Sequence, residues 1–454
     1  MDDISTGKKP ARLWNRDFTL LWQGQLVSQT GQRAFGLAML FFIKETTGSA
    51  SLMGLMMMLS TLPGVLLGPL GGTFADNFSR KKIMVFGDLI NGLFLLSLGL
   101  LMWFVFYARG QMASTYPPTE FTLFAFTYIE PYANAAMIGW LFVVAAAGAI
   151  IFAFFTPACT AAVPDIVPDN KLDAANSLNQ FAIFISLFIG QGLGGLLYTV
   201  TGASALFLIN AFTYFFASGT ESLIRIPQVI PEQHKKGSVA FKAYIQDTKE
   251  GLYYVWNQKG MRILFLVAAL LYLFISPMAL LLPFYVEDYL KLDAAWYGYL
   301  LMSLGVGSVI GYLVAGAITT RGRTQSNLTI GSLLAASISL GFLGIIQVPS
   351  VVMVVIFLVG LTAGIFMVKA TTILQMAAAS DIRGRVFGLL GTLTSGLAPL
   401  GMGIGGVIAD LANKNIPVIY AVCGVLVLLL SVAMAFSREA RDFLMLGPQN
   451  NTAE

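Results

Sequence analysis

The chain has 454 residues, 57% of them hydrophobic and only 11% charged, with a net charge of +4. A soluble domain carries about 25% charged residues because its surface faces water, so this charge cannot coat a globule of such size and the surface must face hydrocarbon. The basic residues lie in short loops, which excludes a nucleic-acid partner, and two cysteines in apolar stretches exclude a disulfide framework.

Residues 1–16 are polar and no short apolar core with a cleavage site follows them, so no removable signal peptide is expected. A bilayer core about 30 Å thick needs about 20 apolar residues in a helix. Spans of that kind fall near 17–43, 50–75, 83–107, 136–163, 174–200 and 203–224. After a polar break they resume near 262–287, 295–319, 327–347, 351–376, 386–411 and 416–437. Phe121–Ile129 is apolar but too short to cross, and is assigned to the interface in a long outer loop. The expected organisation is a six-helix bundle over 1–225, a linker over 226–261, and a second six-helix bundle with a short tail over 262–454. In the linker, Phe241, Tyr244, Ile245, Thr248, Leu252 and Val255 recur at helical spacing between charged residues. This predicts an amphipathic helix, either lying on the membrane face or packed on the protein's own loops.

Orientation follows from Lys and Arg. Loops on the side of the N-terminus hold 21 of the 27, including Arg80, Lys81, Lys82, Lys235, Lys236, Arg383 and Arg385. Both termini and the linker are therefore expected in the cytoplasm, in a multi-pass plasma (inner) membrane protein.

The two halves repeat. Gly190-Gln191-Gly192-Leu193-Gly194-Gly195 matches Gly401-Met402-Gly403-Ile404-Gly405-Gly406, and Gly54, Met58 and Gly72 match Gly298, Met302 and Gly316. Duplicated halves are recurrent in secondary transporters, with the substrate site between them near the midplane. Glycines so dense also let helices approach backbone to backbone, the commoner reason for any single one.

Gly72-Thr-Phe-Ala-Asp76-Asn-Phe-Ser-Arg80-Lys81-Lys82, after the second span, resembles the signature loop of the major facilitator superfamily. Arg16-Asp17-Phe18, Leu21-Trp22-Gln23-Gly24-Gln25, Ser28-Gln29-Thr30-Gly31, Ala174-Ala175-Asn176-Ser177-Leu178 and Arg383-Gly384-Arg385-Val386 are similar to the branch of macrolide efflux pumps and the enterobactin exporter. The resemblance covers essentially the whole chain. It implies an all-α fold of twelve transmembrane helices in two pseudo-symmetric six-helix bundles, and transport by alternating access. It also implies a conformational latch at Gly72, Asp76, Arg80 and Lys81. The second-half copy has Thr320 where Asp would be, so the latch is expected to be asymmetric.

Three departures bear on the substrate. Gln32 and Arg33 follow Gly31 where many relatives carry Asp; Gln191 stands where the antiporter-type pattern has Pro; and Lys369 lies inside span ten. Arg33 is sixteen residues past Asp17, about 24 Å along a helix, and a cation at that depth costs about 2.5–3.5 kcal/mol unless it faces a cavity or partner. Arg33, Gln32, Lys369 and Gln191 are accordingly the candidate substrate contacts, making a net positive cavity suited to an anionic or zwitterionic amphiphile. Structural pairing, for instance of Arg33 with Glu130 or Asp410, is the alternative. Proton antiport is what the resemblance suggests, and Asp17, Asp88 and Glu221 are the carboxylates within reach of the inner half.

A single histidine, and no metal-ligand cluster, phosphate loop or nucleophile–base pair, argue against an enzyme, a metal site or a cofactor. The expected function is export of small amphipathic compounds, drug-like or siderophore-like, with the bilayer and protons as further partners. A flippase for lysolipids or other anionic lipids is the alternative, and a non-transporting sensor or scaffold the remote one.

Overall fold

The computed structural model describes residues 12–115, 130–228, 237–318, 320–379 and 382–445. The 121–129 segment assigned above to the interface lies outside them. Among the described residues all regular structure is helical.

α1 spans Arg16–Thr47. Asn15 caps it by accepting from the Phe18 amide at 3.0 Å, and Asp17 and Lys44 occupy its first and last turns with the signs the helix dipole favours. Gly48, at φ 62°, ends it by donating to the Lys44 carbonyl. The second crossing comes in two pieces, α2 (Ala50–Leu59) and α3 (Leu62–Asn77). α4 (Arg80–Thr115) and α5 (Glu130–Ile166) follow, and then α6 (Leu172–Ser222), whose 51 residues hold two crossings. Gly202 divides them at φ 74° and ψ 178°, a conformation that suits only glycine.

α7 (Gly237–Asn257) is the linker helix, followed by α8 (Lys259–Leu280), which continues through a π-helical turn at Tyr285–Tyr289. α9 (Ala295–Ala317), α10 (Gly322–Phe342), α11 (Pro349–Ala377), α12 (Arg383–Leu411), α13 (Ile416–Phe436) and the short α14 (Arg438–Leu444) complete the chain. Counting α6 twice, ten crossings among the described residues are long and apolar enough to be recognised as spans by those criteria alone. The other two, α1 and α10, are polar for different reasons. α10 turns Gln325, Ser326, Thr329, Ser332 and Ser337 into the protein, where Gln325 donates to the Leu444 carbonyl and Ser337 bonds Ser431. α1 instead leaves Gln32 and Arg33 exposed.

The contacts divide the chain into two compact units. Residues up to Gly48 and Leu59–Phe241 form the first; Ser49–Met58 and Lys242 onward form the second. In the first, Phe18, Met84, Phe155, Ala158, Val163 and Ile224 share an apolar cluster. In the second, Met261, Phe265, Ile373, Val386 and Phe443 do the same.

The repeat read from the sequence has a packing cause in both units. A side chain at Gly190 would collide with the Thr30 carbonyl and the Arg33 Cβ, and one at Gly194 would press on Ala34, so α6 rides directly on α1. At the matching positions, Gly401 abuts the Leu273 carbonyl and Ser276, and Gly405 abuts Pro277, so α12 rides on α8. Close backbone approach of this kind replaces hydrophobic burial as the reason membrane helices adhere.

Candidate transport site

The site is built on one face of α1. Gln25, Gln29 and Gln32 recur at the i, i+4, i+7 spacing that stacks side chains along a helix. Gln25 donates to the Glu221 Oε1 at 3.0 Å, Gln29 donates to the Gln25 Oε1 at 3.4 Å, and the Tyr214 hydroxyl donates to the Gln32 Oε1 at 2.9 Å. The row runs outward from the protein interior: Glu221 is 1% exposed, Gln25 and Gln29 are half-buried, and Gln32 and Arg33 are exposed.

At the buried end stands a second carboxylate. Asp88, on α4, is 2% exposed and lies within the electrostatic reach of Glu221. α4 and the second half of α6 run antiparallel there, tied by the Ser218 hydroxyl donating to the Val85 carbonyl at 2.9 Å and by Gly92 against the Phe215 ring. Asp88 Oδ2 and Glu221 Oε2 are buried without a hydrogen-bond partner, and no Lys or Arg among the described residues pairs with either. Asp17, the third candidate coupling carboxylate, accepts from the Arg225 amide in an exposed setting. Asp88 and Glu221 are thus both buried, on neighbouring helices, while Asp17 is not.

Of the candidate substrate contacts, Gln32, Arg33 and Gln191 share the first unit. Gln191 is half-buried beside Gly190, the residue on which the Arg33 Cβ rests. No carboxylate among the described residues pairs with Arg33. Asp410, one partner considered above, takes its donors elsewhere, and the Glu130 side chain lies outside the described set. Lys369 belongs to the second unit, is 9% exposed, and donates from Nζ to the Ile318 carbonyl at 2.7 Å. Ile318 caps the C-terminus of α9, so this ammonium meets the negative end of a helix dipole.

The signature loop closes on its own unit. Arg80 faces Asp76 at 3.7 Å, pairs with Asp165 on α5, and donates to the Ala161 carbonyl at 3.0 Å. Its backbone amide donates to Gln228, whose Nε2 in turn donates to the Ala75 and Phe78 carbonyls. Lys81 is half-buried beside it. The crowded glycine is Gly71, against the Ala153 carbonyl; a side chain at Gly72 would meet nothing, as would one at its repeat partner Gly316. Asp165 and Gln228 are partners that no motif announced.

In the second unit, Asp410 is set against the start of α2. Its carboxylate accepts from the Ser49 hydroxyl at 2.8 Å and from the Ala50 and Ser51 amides at 3.0 and 2.9 Å. Beside it, Gly54 meets the Met402 carbonyl and Gly406 the Ala50 carbonyl. Nothing in the local sequence of α12 points to this cap, because its donors are about 360 residues away.

α7 packs on the start of α12, one of the two expected arrangements. Arg385 forks between Asp247 and Glu250, each at 2.8 Å, Gly251 rests on the Arg385 backbone, and Val255 is 2% exposed. Leu252, Tyr253 and Trp256 remain exposed on another face, with Arg262 over the Trp256 ring. The side chains of Phe241 and Tyr244 lie outside the described set.

The Major Facilitator Superfamily model matches residues 21–399. The chain is 27% identical to macrolide efflux protein A of Streptococcus pyogenes over 88% of this chain and 91% of that protein. It is 24% identical to the multidrug efflux pump Tap of Mycolicibacterium fortuitum, again over 88% and 91%. Among solved structures, a bacterial homologue of the iron transporter ferroportin in its inward-facing state aligns with TM-score 0.66 at 16% identity, over 93% of this chain and 99% of that one. The nucleoside transporter NupG aligns with TM-score 0.64 at 11% identity, over 93% and 100%. The twelve crossings, the repeated glycine contacts in the two units and the match over most of the chain lead to one assignment: this multi-pass membrane protein belongs to the Major Facilitator Superfamily and is a transporter.

Proposed function

We propose that the protein exports small amphipathic, drug-like compounds by alternating access, and that the exposed end of the α1 row, Gln32 and Arg33 with Gln191 beside them, contacts the substrate. One observation carries the choice of residues. Arg33 is a cation deep in a membrane helix, exposed and paired with no carboxylate among the described residues. Such a charge is costly in hydrocarbon and is retained where it faces a cavity and a ligand. The efflux activities named for the two relatives support the direction and the drug-like substrate class. The Lys and Arg asymmetry supports placement in the plasma (inner) membrane with the basic loops and both termini in the cytoplasm. Lys369 is left out of the substrate set, since its ammonium already serves Ile318.

The test is thermal stability of the purified protein against a panel of anionic, zwitterionic and cationic amphiphiles. A ligand at 100 times its dissociation constant adds about 2.7 kcal/mol. Arg33→Gln is expected to weaken anionic and zwitterionic ligands about tenfold, or about 1.4 kcal/mol, and to leave unliganded stability unchanged. Stabilisation by cationic drugs alone, indifferent to Arg33→Gln, would remove Arg33 from the substrate site. Strong stabilisation by lysolipids above all others would favour the flippase.

A further inference from the structure

We propose that the exposed face of α7 lies on the membrane surface and that the groove beside it holds the phosphate headgroup of an anionic phospholipid. At 3.6 residues per turn, Ile245, Lys249, Leu252, Tyr253 and Trp256 share one side of this helix, and Asp247, Glu250, Gly251, Tyr254 and Val255 share the other. The second set is the packed one. Arg385 takes Asp247 and Glu250, and Gly251 rests on the Arg385 backbone. The Tyr254 hydroxyl accepts from the Ala379 amide at 3.3 Å and donates to the Ala377 carbonyl at 3.4 Å. The usual amphipathy is thus reversed. The acidic groups are spent on the protein, while Ile245, Leu252, Tyr253 and Trp256 are left 38, 46, 72 and 54% exposed. An apolar patch of this kind, rimmed by polar groups, marks a surface that water does not cover.

Position selects the membrane as its cover. Ala377 ends the crossing α11, Arg383 starts α12 and Lys259 starts α8, so α7 is tied to three span ends at one boundary. Arg262, in the first turn of α8, stands over the Trp256 ring at 5.3 Å from its centroid. Leu266, one turn further, is 47% exposed on the same crossing. The aromatic face of α7 therefore runs into the exposed stripe of a membrane helix, at the depth where Trp and Tyr collect. Charge then selects the lipid. The groove, of about 700 Å³, is lined by Lys249, Tyr253, Tyr254, Asn257, Gln258 and Ile382. Glu250 also borders it, but its two oxygens are taken by Arg385 and Gln246. Among the described residues no acidic group pairs with Lys249 or Arg262. Free cations beside amide donors at a bilayer surface suit a phosphodiester with net negative charge. The inference rests on the multi-pass membrane placement and not on the export reading.

The experiment uses the full-length protein in phosphatidylcholine nanodiscs, doped with either brominated phosphatidylglycerol or brominated phosphatidylcholine as a contact quencher. The chain has six tryptophans, so the Trp256 signal is read as the difference between the wild type and Trp256→Phe. Trp256 is expected to be quenched by both lipids, with phosphatidylglycerol effective at a several-fold lower fraction. Lys249→Gln should cut that preference about fivefold, Lys249→Arg should keep it, and added salt should weaken it. A melting curve on each variant verifies folding. Equal quenching by the two lipids in the wild type overturns the headgroup site. Trp256 quenched by aqueous iodide and by neither lipid overturns the membrane contact as well. Trp256 shielded from all three, in a protein with the mass of a dimer, gives the face to a second copy and equally overturns the proposal.

Discussion

Asp410 and Lys369 in the second unit, and Asp88, Glu221 and Arg33 in the first, are all charged side chains set into membrane-crossing helices, yet they are treated in opposite ways. In the second unit each charge sits on the end of a neighbouring helix. Asp410 accepts two amides and a hydroxyl at the start of α2, and Lys369 donates to Ile318 at the end of α9. The signs are those the helix dipole asks for. In the first unit Asp88 and Glu221 are buried among side chains, each with one oxygen bare, and Arg33 is exposed with no acidic partner among the described residues. A charge neutralised by backbone dipoles is finished as a structural part. A charge left uncompensated is available to bind something, and of the three Arg33 lies on α1 and Glu221 touches Gln25 of α1.

Gln25 is the place to press hardest on that contrast. It is the donor to Glu221 and the first step of the row, so Gln25→Leu leaves a buried carboxyl group with no hydrogen bond. The cost of such an orphan is about 1–3 kcal/mol, and a loss near the upper end is expected in chemical denaturation of the purified protein. Gln25→Glu should be worse, since it places a second carboxyl group against Glu221. The companion measurement is Glu221→Gln in the Gln25→Leu background, which removes the ionisable group and should recover most of the stability. If the single change is neutral and the double change gives no recovery, Glu221 is already satisfied by groups outside the hydrogen bonds described, and the contrast between the two units fails.

Asp410→Ala tests the other side. It withdraws the acceptor for Ser49, Ala50 and Ser51 together, and losing an N-terminal cap costs about 0.5–2 kcal/mol. Asp410→Asn keeps an acceptor oxygen and should lose less than half as much. Hydrogen exchange localises the effect: residues 50–53 are expected to lose protection while α1 does not. Equal loss of protection in both places would mean that Asp410 is no local cap.

Much of this arrangement is legible in the sequence, for reasons that differ from residue to residue. The crossings are readable because hydrocarbon admits little besides long apolar helices, and the repeat because Gly190 and Gly194 do the same steric work as Gly401 and Gly405. Arg33 stands out because a cation at that depth needs a reason. The partners are not legible. Asp88 and Glu221 are 133 residues apart in the chain and lie on neighbouring helices only because α4 runs antiparallel to the second half of α6. Gln25, Gln29 and Gln32 do carry a signal in the sequence, since their spacing alone places them on one polar face of a helix; an argument from charge and depth passes over it. Lys369 is singled out by the same depth argument as Arg33, and that argument sees only cost; it cannot distinguish a cavity from a helix end.

Lys369 therefore provides the finest test of the comparison, with the smallest expected effect. Lys369→Met keeps the length and apolar stem of the side chain and removes only the ammonium at the end of α9. A cation near a helix C-terminus contributes about 0.3–1 kcal/mol, so a drop of about 0.5 kcal/mol in unfolding free energy is expected, with amphiphile affinity unchanged. Lys369→Arg should retain most of the stability, because a guanidinium can also donate to Ile318. The informative quantity is the ratio of the two effects. A structural cation loses stability and leaves ligand binding alone, whereas a substrate contact does the reverse. A tenfold loss of affinity for anionic amphiphiles in Lys369→Met, with stability intact, would put an uncompensated charge in the second unit as well. The division between a structurally completed unit and one that keeps its charges for ligands would then no longer hold.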